Sequence, residues 1–171
     1  MIFVAAKNKT VLPGSIIAFH SSPTAMEHFL RRSSARAGAE VFGPQRKAEA
    51  VFYRKINVNP EIMVEVARIM NPVCVVEDNR QPASHPDHYG MGWRHSAFVP
   101  TPKQLGKMGI TNVRGSWPST EGLAVDLERL GLSRAFRPVY SPEQSDLSAI
   151  GAAAPPNLSR CQPQQMRGQK V

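Results

Sequence analysis

The residues best equipped for chemistry gather in one stretch, His85-Pro86-Asp87-His88-Tyr89-Gly90-Met91-Gly92-Trp93-Arg94-His95. His85-x-x-His88 supplies two imidazoles and His95 a third, while Asp87 or the distant Cys74 would have to complete a zinc set. Tetrahedral zinc sites draw on paired Cys or His at defined spacings, and the fourth donor here belongs to no such pair. The same residues have a plainer use. His, Tyr and Trp each carry an apolar body and a polar tip, and Trp, Tyr and Arg are enriched where interfaces concentrate their energy. Tyr89, Trp93 and Arg94 are therefore read as partner-binding anchors on a loop bent by Gly90 and Gly92, with no metal or cofactor expected.

Covalent and phosphate chemistry find less support. No GxSxG elbow occurs, neither Cys74 nor Cys161 has a local histidine, and no pair of carboxylates is set apart by its surroundings. Neither GxxxxGK[ST] nor GxGxxG is present, and Gly90-Met91-Gly92 lacks the preceding strand and following helix that a phosphate loop needs. An enzyme is not expected. The two cysteines have no CxxC partners, which fits a reducing compartment better than a disulfide framework.

The densest cationic region runs through Arg31, Arg32 and Arg36, then Arg46 and Lys47, then Arg54 and Lys55, with Phe52 and Tyr53 interleaved. On one reading the cations meet phosphates while the aromatics stack on bases. On the other, Phe52 packs against the next helix and the charges form a solvated face. No RRM, KH or OB signature decides for RNA. Trp117, flanked by Gly115-Ser116 and Pro118, is either a hydrophobic staple on the helix that follows or a second anchor, and completes the partner-binding set.

The elements that must position these residues are short. Pro23 opens a helix with Met26, Phe29 and Leu30 on one side and Gly38 as its stop; Asn59 and Pro60 open a second that Asn71-Pro72 ends; Ser119 or Thr120 caps a third, with Leu123, Leu127 and Leu130 on one side before Gly131. Val51 to Tyr53 reads as a short separate segment, Val73 to Val76 as one short strand, and Pro102 to Met108 as at most a brief helical turn. The fold class expected is mostly irregular and extended with a few short α-helices, roughly 23–37, 60–70 and 120–130, little autonomous core and few or no β-strands. The chain divides into an extended N-terminal arm (1–22), a helical segment with a basic face (23–77), an extended Pro/Gly-rich segment bearing the His and Trp residues (78–118), a short helical segment (119–146) and a basic low-complexity tail (147–171).

Composition points the same way. Among 171 residues stand 15 Pro and 12 Gly, about a third more of these breakers than average usage supplies. Leu, Ile, Val and Phe number 39, just above the fifth or so at which chains tend toward disorder. No apolar run nears the ~18 residues that span a bilayer, so no membrane contact is expected. The net charge is +8, and 14 of the 21 cations are Arg, whose planar fork suits carboxylate or phosphate. An acidic partner follows. The first 26 residues hold no acid, a trait shared with mitochondrial transit peptides, although Pro13-Gly14 interrupts the stretch and Arg is absent from it.

His85 to Gly90 followed by Gly92-Trp93-Arg94, set among Pro-rich extended chain, resembles the small microtubule inner proteins of ciliary doublets. That resemblance implies a basic, core-poor chain threading between tubulin subunits. Mitochondrial ribosomal proteins and respiratory-complex accessory proteins share the same manner. The expectation is a structural, non-catalytic component of a large assembly, placed in the axoneme of a cilium or flagellum with tubulin as its acidic lattice. The alternative is an RNA-contacting structural subunit of a mitochondrial ribosome or an accessory subunit of a mitochondrial complex.

Overall fold

Side-chain caps written into the sequence start three of the helices, and a turn closed by Asn59 leads into a fourth. A computed structural model describes residues 5–30, 35–76, 89–134, 136–144 and 146–150. In α1 (Pro23–Leu30) the Ser22 hydroxyl accepts the Ala25 N–H at 3.3 Å. Ahead of α3 (Ile62–Ile69) the Asn59 side chain accepts the Glu61 N–H at 3.0 Å. For α4 (Pro102–Lys107), Thr101 and Gln104 form a full capping box, and for α5 (Thr120–Arg129) the Ser119 hydroxyl accepts the Gly122 N–H. Each supplies an acceptor to donors that have no partner within the helix.

The opposite ends follow one rule. Asn57, Asn71, Gly109 and Gly131 all have positive φ, between 58° and 78°, at the position just past the C-cap of α2 (Ala35–Lys55), α3, α4 and α5. At three of them the pair of Schellman bonds is complete: Val58 N–H to Tyr53 O, Ile110 N–H to Leu105 O, and Leu132 N–H to Leu127 O, each at 2.9 Å, are the outer ones. The fourth lacks its outer bond because Pro72 has no N–H to give.

α2 corrects the expected helix over 23–37. α1 is described to Leu30, residues 31–34 lie outside the described residues, and α2 runs for 21 residues through Gly38, the expected stop, and on through Gly43 and Pro44 to take in Val51 to Tyr53. Alanines and long polar residues of high helix propensity fill most of it and outweigh the two glycines. Pro44 lies on the exposed side, where the chain can bend toward solvent without opening the core. α3 and α5 match the expected 60–70 and 120–130, except that Leu130 is half-exposed, not packed with Leu123 and Leu127.

Strands are short but more numerous than expected, and they join distant segments. β1 (Lys9–Val11) pairs in parallel with β5 (Val113–Gly115), β2 (Pro72–Val76) antiparallel with β3 (Tyr89–Trp93), and β4 (Ala97–Phe98) in parallel with β6 (Pro138–Val139). Phe19 adds an antiparallel bridge to Phe98, with N–H···O distances of 2.8 and 2.7 Å. Residues of the expected N-terminal arm are thus stitched into the body. Gly115 has φ 124°, and a Cβ there would lie 2.0 Å from the Val11 carbonyl oxygen, so only glycine allows β1 this close.

A contiguous core replaces the little core expected. Tyr53, Val58, Met63, Val66, Ile69, Met70, Phe98, Leu105, Met108, Ile110 and Leu147 form one buried cluster. Phe98, Leu105, Met108 and Ile110 come from the segment expected to lie extended. That segment can go inside because its polar groups find partners both locally and in distant segments. Gln104, wholly buried, accepts the Thr101 N–H at 2.7 Å and donates to the carbonyls of Ser141 and Gln144. α6 (Leu147–Ile150) closes the far end, where the Arg68 guanidinium pairs with Glu65 at 2.7 Å and donates to the Leu147 carbonyl at 3.0 Å. The tail beyond it, 151–171, lies outside the described residues. Among the described residues no barrel forms, and no helix is long and apolar enough to cross a membrane.

Candidate partner-binding surface

The helical turn sorts the residues of α2 into two sides. Tyr53 and Glu49, four apart, face inward: the Tyr53 ring is 2% exposed, and the buried Glu49 carboxylate accepts the Thr24 N–H at 2.9 Å at the start of α1. A negative charge there complements the exposed donors and the dipole of that helix end. Burial first, and the Glu49 charge second, push the Tyr53 phenol up to about 12. The Phe52 ring meets that of Tyr53 edge-on, with centroids 5.6 Å apart, and packs against the core.

Lys47 and Arg54 lie seven residues apart, nearly two full turns, so they share a side. Val51 stands between them and Lys55 lies next to Arg54; all four are exposed. None of the three cations has a carboxylate partner among the described residues. Val51 is 49% exposed, which places an apolar patch in the middle of the charges. Arg54 and Lys55 also occupy the last turn of α2, where cations oppose the negative end of the dipole. Arg46, next to Lys47, is half-buried.

The other predicted site residues fall elsewhere. Arg31 and Arg32 lie outside the described residues, and Arg36 lies in the first turn of α2. Tyr89 pairs with Val76 at one end of the β2–β3 ribbon, and Trp93 with Pro72 at the other. Trp93 is half-buried against the core, and Arg94 next to it is exposed. Trp117 is also half-buried against the core, and its indole N–H donates to the Pro100 carbonyl at 2.8 Å. His85, Asp87 and His88 lie outside the described residues, among which no group of three or more His, Cys, Asp or Glu is placed to hold a metal ion.

Sequence reasoning missed two charged residues that matter here. Glu49 was visible in principle, because its spacing to Tyr53 puts both on the inward side of one helix. Arg137 was not, since only the folding of β4 beside β6 brings it to Arg94 and His95. No protein-family model, curated protein or solved structure matches the chain.

Proposed function

We propose that the chain is a non-catalytic structural component of a large assembly, seated on an acidic protein surface through the outward side of α2. The observation that carries this reading is the grouping of Lys47, Arg54 and Lys55 around the exposed Val51 on a helix whose other side is anchored in the core. Charge steers such a surface to its partner, and the small apolar centre gives it contact area once water leaves. The lattice we favour is tubulin, in the doublets of a cilium or flagellum.

RNA is the competing partner. It would use Phe52 and Tyr53 as stacking rings, but Tyr53 is buried and Phe52 packs inward, which favours a protein surface. Treatment of the native complex with nuclease, set against extraction in high salt, tests the choice. The expected result is release by salt, survival of nuclease and co-purification with tubulin. Release by nuclease overturns the reading.

A further inference from the structure

A second cationic group forms where three segments of chain meet. The chain leaves β3 through Arg94, His95 and Ser96 and there lies beside Arg137, just ahead of β6. Four hydrogen bonds fix the backbone: Arg94 N–H to Asn71 O at 2.9 Å, His95 N–H to Met70 O at 3.1 Å, Ser96 N–H to Arg137 O at 3.0 Å, and Arg137 N–H to Ser96 Oγ at 2.7 Å. The first two tie the group to the C-terminal end of α3, and the last two bring Arg137 alongside from a distant part of the sequence.

Both guanidiniums are exposed, and neither has a carboxylate partner among the described residues. His95, half-buried beside them, is held below its ordinary range by burial first and then by the Arg94 and Arg137 charges, while a hydrogen bond to the Arg137 backbone opposes the shift. Both guanidinium charges are felt at the one imidazole on a clamped backbone, and an oxyanion held beside it is favoured by both. Two planar forks are suited to its oxygens, while the neutral imidazole, whose one N–H goes to the Arg137 backbone, adds no donor of its own.

We propose that Arg94 and Arg137, on either side of the His95 backbone, form an oxyanion site that takes a carboxylate from an acidic segment of a protein partner. Sequence-specific RNA contact relies largely on bases stacked on aromatic rings, and the adjoining Trp93 packs against the core. A carboxylate needs only the forks. The site rests on the docking reading for the protein nature of its partner, yet uses none of the residues of α2.

The test is titration of the full chain with a glutamate-rich peptide, read from the NMR signals of the Arg94 and Arg137 side chains and the His95 ring. The peptide is expected to move all three, and Arg94→Gln with Arg137→Gln to weaken its binding by about tenfold or more. Arg94→Lys and Arg137→Lys, which keep the charge and lose the fork, are expected to fall between. Unchanged affinity in the double Gln variant, or tighter engagement of these signals by an RNA oligonucleotide, overturns the proposal. Recovery with tubulin from native material while the peptide leaves the cluster unmoved defeats this site alone. A peptide that moves the cluster, combined with release of the native chain by nuclease, supports the site and defeats the docking reading.

Discussion

Residues 97–110 place Phe98, Leu105, Met108 and Ile110 inside the protein, whereas the outward side of α2 leaves Lys47, Val51, Arg54 and Lys55 in solvent. The first stretch is broken by Pro100, Pro102, Gly106 and Gly109; the second belongs to the longest helix described. Length and regularity therefore do not decide burial in this chain. What burial requires is that every backbone group be paired: Phe98 exchanges both its bonds with Phe19, the Val99 N–H reaches Val139 O, and α4 is capped at both ends, so apolar side chains can be drawn inside without stranding polar groups. α2 satisfies its own backbone wherever it lies, and its outer side chains are free to serve another molecule.

The sharpest way to break this contrast is Phe98→Ala. Truncating a wholly buried aromatic costs about 3–5 kcal/mol, and this one also stands where Phe19, β4 and β6 meet. The variant is expected to unfold at far lower urea, or to lose its cooperative transition by circular dichroism. A wild-type midpoint retained in the variant would show that residues 97–110 are not the structural centre.

A smaller effect tests the inward side of α2. Tyr53 titrates at about 12 in the folded chain against ~10 for an unfolded tyrosine. The unfolded state therefore loses its proton first. The stability this tyrosine lends is fully present below pH ~10 and drains away as pH rises toward 12. Urea unfolding followed from pH 8 to 12 is expected to show that decline, and Tyr53→Phe to flatten part of it. Burial raises the Tyr140 phenol as well, so a residual slope remains in the variant.

The smallest effect on folding belongs to the outward side. Lys47→Glu, Arg54→Glu and Lys55→Glu together are expected to shift stability by about 1 kcal/mol or less, as exposed charges do. Their effect is expected in recovery of the chain with its acidic partner, which should fall severalfold at moderate salt. A large loss of stability from these changes would mean that the cations hold α2 in place.

How much of this was legible in the sequence can be followed residue by residue. Asn71 and Gly131 as helix stops, Ser119 as a cap and the short helices at 60–70 and 120–130 rest on local chemistry, which a sequence displays directly. Pro102 to Met108 reads from the sequence only as a brief turn, and it is α4. Gly38 misled, because glycine in a helix costs only about 1 kcal/mol and the alanine-rich chain around it makes up the loss. The core was hidden for a different reason. Phe98 needs Phe19 and Val139 beside it, and no local pattern announces partners at such separations. The same holds for the site: Lys47, Val51 and Arg54 show their common side by spacing alone, while Arg94 and Arg137 meet only after β4 and β6 have paired.

Parallel pairing of β1 with β5 also sets a clock. Lys9 finds its partner at Val113, so about a hundred residues must be made before the first strand has anything to pair with. At the usual ~5–20 residues per second of synthesis, that interval lasts roughly 5–20 s, and closing so long a loop slows folding further. During it α1, α2 and α3 are already complete in sequence, with the cations of α2 available to whatever acidic surface lies nearby. The order of synthesis thus allows the chain to meet its partner before β1 has met β5.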